Sequence, residues 1–134
     1  MDIKIRKFDV HHVIDVSGEV DVYNAHRLKD VVCTRIQKQV RVFILNLKKV
    51  TSVDSSGIGA VLAIHALLAH EGMEFRIVNV ARTVMRVLEL TRLVGFLPIM
   101  STELEAIESI AAKESPVSGP RAADSFTAEA ISRE

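Results

Sequence analysis

Residues 41–59 read RVFILNLKKVTSVDSSGIG, and the hydrophobic pattern changes within this stretch. Its opening segment, RVFILNL, is a short and nearly continuous apolar run, which predicts a buried β-strand. Residues 50–57 are polar and are predicted to form a turn-like segment. An apolar helix is predicted over residues 57–70, and Gly72 supplies a stop signal for it. The stretch therefore predicts a strand, a polar loop and a helix in succession.

Alternating strand and helix patterns continue on both sides of this stretch. Asn24 stands where a helix N-cap is expected, before apolar residues at helical spacing. Thr102 occupies the same position before the last predicted helix. Elements that alternate in this way predict an α/β fold, in which helices cover a mixed or largely parallel sheet. The other predicted strands lie near residues 3–8, 13–18, 75–80 and 96–100, and the other predicted helices near residues 24–36, 84–95 and 102–113.

The periodic pattern predicts one domain over residues 1–113 and a flexible C-terminal tail over residues 114–134. In the tail, Pro116, Gly119 and Pro120 stand among scattered serine, alanine and acidic residues, and the helical spacing is lost. A chain of 134 residues can bury about two-thirds of its unfolded surface. We therefore expect a true hydrophobic core that needs no disulfide or metal.

The charges of the chain balance, with 17 Lys and Arg against 17 Asp and Glu. A neutral chain offers no overall attraction to nucleic acid or to an anionic membrane. The single cysteine, Cys33, excludes an intramolecular disulfide, and its predicted helical setting suggests a place in or near the core. No run approaches the ~20 apolar residues of a membrane span, and the N-terminus lacks the apolar segment of a secretory signal. We expect a cytoplasmic protein that binds neither nucleic acid nor membrane.

The segment Asp54-Ser55-Ser56-Gly57-Ile58-Gly59 carries the most chemical information. Its two hydroxyl groups lie at a predicted helix N-terminus, where free backbone N–H groups and the helix dipole stabilise an added anion. Gly57 and Gly59 allow close approach to the backbone. A phosphate would add a charge of about −1.5 to −2 beside an existing carboxylate. The residues alone leave two interpretations open: Ser55 or Ser56 is an N-cap worth ~1 kcal/mol, or one of them is a modified switch site.

Two motifs of this sequence resemble those of one protein family. The segment DSSGIG at residues 54–59 resembles the D-S-S-G-[LI]-G signature of STAS-domain anti-sigma factor antagonists. The segment GEVDVYNA at residues 18–25 resembles their G-E-[LV]-D-x-x-[TN]-A segment. The predicted order of elements agrees with that family over residues 3–112. The resemblance implies a STAS fold, with a small mixed sheet of four to five strands and about four helices packed mainly on one side.

The resemblance also implies a function without catalysis. Members of the family bind an anti-sigma factor that is also a serine kinase, and this binding releases a sigma factor. The kinase phosphorylates the first serine of the signature, here Ser55, and a PP2C-type phosphatase restores the active form. A monomer or weak dimer is expected. The residues that the resemblance assigns to partner binding are Asp21, Asn24, Asp54, Ser56, Gly57 and Ile58.

Two other classes of function stay open at this point. STAS domains also serve as scaffold subunits of stress-sensing (stressosome-like) or lipid-transport complexes. An enzyme or nucleotide-binding module could use the 54–59 loop, but a dinucleotide fingerprint would need glycine at position 62, where Leu62 stands. His65 and His70 are five residues apart, unlike the i, i+4 pairs of helical zinc sites. We therefore predict no catalytic residue, metal or cofactor.

Overall fold

The computed structural model describes residues 1–9, 11–36 and 40–114, and the predicted 114–134 tail lies outside these residues beyond Glu114. Over the described residues, five strands and four helices alternate after an opening pair of strands. The strands are β1 (Asp2–Lys7), β2 (His11–Val20), β3 (Val42–Val53), β4 (Glu74–Val78) and β5 (Ile99–Met100). The helices are α1 (Ala25–Ile36), α2 (Ser55–His70), α3 (Arg82–Leu90) and α4 (Glu103–Glu114).

The five strands form one sheet in the order β1-β2-β3-β4-β5. β1 pairs with β2 in the antiparallel direction, and the other three pairs are parallel. This is the mixed sheet that the sequence predicts, because strands separated by a helix return in the same direction. The carboxyl ends of β2 and β3 therefore lie side by side, at the end of the sheet where α1 and α2 begin.

The two faces of the sheet are covered unequally. Helices α1, α2 and α3 pack on one face around fully buried side chains that include Ile14, Phe43 and Ile64. On the other face α4 covers a smaller cluster, in which Ala106 packs with Ile44 and other residues of the central strands. Packing mainly on one side is confirmed, since three of the four described helices share a face.

Strand β3 is longer than the sequence pattern predicts. The polar residues after Leu47 suggest a turn, but β3 continues to Val53. Val50 is buried and lies opposite Gly18 of β2, and Val53 lies opposite Val20. Register shifts occur in this part of the β2–β3 pair and disturb the alternation of side chains between the two faces. The sequence therefore lacks the alternating hydrophobic pattern by which a strand is ordinarily predicted. As a result, β3 ends immediately before Asp54.

Two smaller predictions are wrong. Cys33, expected in or near the core, is exposed on α1, because the buried face of that helix is formed by Ala25, Leu28 and Val32. Helix α3 ends at Leu90, several residues before the predicted end near Gly95. The predicted cap of α4 is present, since the Thr102 hydroxyl accepts a hydrogen bond from the Glu105 N–H at 3.1 Å.

Helices α2 and α3 end in the same hydrogen-bonded motif with different residues. After α2, the Met73 N–H donates to the Leu68 carbonyl, and Gly72 between them has φ +72°. After α3, the Leu93 N–H donates to the Leu88 carbonyl, and Arg92 has φ +61°. A left-handed residue in this position is ordinarily glycine, because a side chain there costs about 1–2 kcal/mol.

A polar network ties α4 to the sheet. Arg6 of β1 donates to both oxygens of Asp15 on β2, at 2.6 and 2.9 Å, and also to the Glu103 carboxylate of α4. Asn46 of β3 donates to the same Asp15 carboxylate at 2.8 Å. The hydrogen bonds from Arg6 and Asn46 lower the pKa of Asp15, and the first of these is the main cause.

We expect Arg92→Gly to raise the free energy of unfolding by about 0.5–1 kcal/mol. Glycine removes the left-handed strain, and the greater freedom of the unfolded chain offsets part of the gain. Gly72→Ala is the matched control and should lower stability, since open space surrounds Gly72 and only the backbone angle matters. Urea unfolding measures both variants. The prediction would be contradicted if Gly72→Ala lowered the free energy of unfolding while Arg92→Gly left it unchanged.

We expect acid to weaken the link between Arg6 and Asp15. Because the pKa of Asp15 is lower in the folded protein than its ordinary value of 3.8, its contribution to stability is complete above that value. The contribution is lost as the pH falls through the lower, folded pKa. In urea unfolding between pH 6 and pH 2, Arg6→Gln should show a smaller acid loss than wild type. Lys7→Gln, with the same charge change on the same strand, should resemble wild type.

Candidate functional site

The predicted site residues lie at the carboxyl ends of β2 and β3. The loop at residues 21–24 follows β2, and Asp54 follows β3 and precedes α2. The space outside the carboxyl ends of parallel strands is where open α/β sheets ordinarily bind their ligands, because loops from neighbouring strands meet there. The structure thus brings together two motifs that are about 30 residues apart in the sequence.

Asp54 connects the two motifs through one carboxylate. Its Oδ1 accepts hydrogen bonds from the backbone N–H groups of Ser56 at 2.9 Å and Gly57 at 3.0 Å. Its Oδ2 accepts from the Val22 N–H at 3.1 Å, across a separation of 32 residues. Asp54 is therefore the N-cap of α2, with extended backbone angles of φ −102° and ψ −172°.

This arrangement corrects the predicted start of α2. The sequence suggests a helix from Gly57 and allows Ser55 or Ser56 as its cap, but the helix begins at Ser55. Asp54 takes the cap position because its carboxylate can bond two N–H groups of the first turn and a third from the neighbouring loop. The two hydroxyl groups are thereby freed from capping.

The loop after β2 is ordered by its own side chains. The Asp21 carboxylate accepts from the Tyr23 N–H at 2.9 Å, and the Asn24 Oδ1 accepts from the Asp21 N–H at 2.9 Å. The Asn24 bond to the Asp21 N–H resembles one half of a capping box, whereas the Asp21 carboxylate bonds the N–H two residues further on, as in an Asx turn. The Asn24 amide also donates to the Glu19 carbonyl at 2.9 Å. In the described residues the Asn24 side chain bonds Asp21 and Glu19, which precede it, so it does not cap the first turn of α1 as predicted.

Gly57 and Ile58 lie beneath the surface. Gly57 is buried, and a Cβ atom built there would stand 2.3 Å from Cγ2 of Val53 and 3.1 Å from the carbonyl of Val20. Only glycine lets the first turn of α2 pack this closely on the strand ends. Ile58 is 9% exposed and belongs to the main core. Among the residues predicted for partner binding, Gly57 and Ile58 are buried, whereas the others are half-buried or exposed.

Ser55 is exposed at the first position of α2. Among the described residues, no side chain or backbone group forms a hydrogen bond with its hydroxyl. The N–H groups of Ser56 and Gly57 already bond Asp54, so these helix-end donors, expected from sequence to hold a phosphate, are occupied. An anion added to Ser55 would face solvent beside a carboxylate.

Two exposed hydrophobic residues beside this site were not predicted from the sequence. Val22 is 61% exposed and Tyr23 is 85% exposed, between the polar residues that order the loop. Turn positions ordinarily favour Gly, Pro, Asn, Asp or Ser. The sequence does contain an indication of them, because Val22 and Tyr23 are two hydrophobic residues inside the turn D-V-Y-N at residues 21–24.

Other site types find little support in the described residues. No group of three His, Cys, Asp or Glu side chains in residues 1–9, 11–36 and 40–114 is arranged to hold a metal ion. Within the same residues, no helix combines the length and apolar character that a membrane span requires.

Known proteins match this chain in sequence over most of its length. The profile of the STAS domain matches residues 2–106. The anti-sigma F factor antagonist of Paenibacillus polymyxa is 29% identical over 105 residues, which are 75% of this chain and 90% of that protein. The anti-sigma-B factor antagonist of Staphylococcus aureus is 28% identical over 106 residues, which are 78% of this chain and 98% of that protein.

Solved structures match the fold as well. The anti-sigma factor antagonist SpoIIAA in its unphosphorylated form superposes with a TM-score of 0.71 at 25% identity, covering 83% of this chain and 97% of SpoIIAA. The phosphorylated form of SpoIIAA from Bacillus gives a TM-score of 0.64, also at 25% identity, over 81% of this chain and 99% of that one. The sequence resemblance and the predicted fold are confirmed, and the chain belongs to the STAS domain family.

Proposed function

We propose that this protein is an anti-sigma factor antagonist, which binds an anti-sigma factor with serine kinase activity and thereby frees a sigma factor. The observation that carries the proposal is the exposed Ser55 at the start of α2, held beside an ordered loop by Asp54. The names of its relatives support the same role. In this proposal the protein acts in the cytoplasm through binding alone, without catalysis, cofactor or nucleic acid.

The proposed contact surface is formed by the two motifs. Asp21, Asn24, Asp54 and Ser56 contribute its polar groups around Ser55, and Gly57 and Ile58 support it from below. Because the surface lies on two connected loops over a rigid sheet, its shape is largely set before a partner binds. Preorganisation of this kind reduces the entropy lost on association.

Phosphorylation of Ser55 is the proposed off-switch, and a PP2C-type phosphatase is the proposed means of restoring the active form. The donors of Ser56 and Gly57 are engaged by Asp54, so the structure offers a phosphate on Ser55 little compensation. A dianion enclosed in an interface without a partner is penalised by several kcal/mol. Because ~1.4 kcal/mol is a tenfold change in affinity, one phosphate suffices to end binding.

We expect Ser55→Asp to weaken binding of the kinase anti-sigma factor by about a hundredfold, from the added charge alone. Ser55→Ala should bind like wild type and remain bound when ATP is added. Ser56→Ala is the matched control and should still be phosphorylated and released. Calorimetry measures affinity, and fragmentation of the tryptic peptide from Val50 to Arg76 must locate the phosphate among Thr51, Ser52, Ser55 and Ser56. Release of Ser55→Ala by ATP would contradict the proposed switch.

We expect the purified protein to be a monomer or a weak dimer in solution. An antagonist must present its contact surface to one partner at a time, whereas a scaffold subunit builds a large assembly. Size-exclusion chromatography with light scattering, over a hundredfold range of concentration, distinguishes the two. A stable particle of many subunits would instead favour the scaffold function.

A further inference from the structure

We propose that Val22 and Tyr23 form an apolar anchor with which this protein binds and recognises the anti-sigma factor. We call these two side chains the 22–23 anchor. The inference rests on the proposed function and adds to it the residues that supply affinity and the chemistry of the surface that receives them. That surface is an apolar pocket on the anti-sigma factor, deep enough for one aromatic ring.

The exposure of the anchor is the first observation. Tyr23, at 85%, is the most exposed large hydrophobic residue in the described part of the chain, and its neighbour Val22 is 61% exposed. The fold therefore leaves most of the surface of both residues in water. Both stand in a turn whose other positions are polar, so their apolar character is not required by the local structure.

The rigidity of the backbone beneath the anchor is the second observation. The N–H groups of Asp21, Val22 and Tyr23 donate in succession to Asn24, Asp54 and Asp21. Three consecutive backbone donors are therefore satisfied by side chains. Tyrosine on a fixed backbone has few angles left to order on binding, which is why this residue type is frequent among binding hot spots.

The position of the anchor relative to the switch is the third observation. The Asp54 carboxylate that bonds the Val22 N–H also bonds the N–H of Ser56, one residue beyond Ser55. Tyr23 and Ser55 are therefore each one residue away from a backbone group that bonds the same carboxylate, and in this proposal one partner contacts both. This continuity commits the anchor to the same partner as the switch, with affinity supplied by the apolar side chains and control by the serine.

The composition of the chain permits a direct test. Tyr23 is the only tyrosine in all 134 residues, so protein labelled with 3-fluorotyrosine gives one fluorine NMR resonance from the anchor. The probe is the purified serine-kinase anti-sigma factor of the same cell, unlabelled and without ATP. We expect the resonance to move or broaden as the complex forms, and to return to the free position when ATP is added and Ser55 is phosphorylated.

Variants test whether the ring supplies affinity. Tyr23→Ala should weaken binding of the same anti-sigma factor at least tenfold, whereas Tyr23→Phe should stay within threefold of wild type because it keeps the ring. Leu104→Ala is the matched control: Leu104 is 64% exposed on α4, on the other face of the sheet, and its loss should change nothing. Thermal unfolding should be unchanged in all three.

The outcomes separate this inference from the proposed function. If wild type binds the anti-sigma factor but Tyr23→Ala binds equally well, or the fluorine resonance does not respond, the anchor is wrong and the proposed function stands. If wild type binds no serine-kinase anti-sigma factor, the proposed function itself fails. At saturating kinase, Tyr23→Ala should still be phosphorylated on Ser55, since the variant loses affinity and keeps its acceptor.

Discussion

The carboxylate of Asp54 is the point at which the site and the fold meet. Three backbone N–H groups, two from the first turn of α2 and one from the loop after β2, converge on its two oxygens. A capping carboxylate is ordinarily worth about 0.5–2 kcal/mol to its helix. Here the same group also connects two loops, so its loss would displace the proposed contact surface as well as weaken the helix.

The strands beneath Asp54 explain why this connection is possible. Gly57 brings the first turn of α2 against the ends of β2 and β3, where any side chain would collide with Val53. Because β3 extends to Val53, Asp54 lies beside the loop at residues 21–24. Gly57, the extension of β3 and the Asp54 cap therefore act together to place the start of α2 beside the loop after β2.

Much of this architecture could be predicted from local patterns. The buried run before residue 48, the apolar helix after it and Gly72 as its stop are all recovered, because each depends on neighbours in sequence. The extension to Val53 could not be predicted, since it depends on pairing with β2 and on irregular register there. The motifs predicted the two loops of the proposed site. The bond from the Val22 N–H to Asp54 could not be predicted, because it joins loops far apart in the sequence, and neither could the contacts of Asn24 with Asp21 and Glu19.

The loop after β2 has a consequence for how relatives can diverge. Its conformation is maintained by the side chains of Asp21, Asn24 and Asp54, whereas Val22 and Tyr23 are largely exposed. We therefore expect substitutions at these two positions to change the free energy of unfolding by no more than about 0.5 kcal/mol. In the proposed role of the 22–23 anchor, a duplicated copy of the gene could change both residues early and acquire a preference for a different partner while its fold persists. Parallel regulatory circuits in one cell could be kept from cross-talk in this way, by two side chains on an otherwise constant frame.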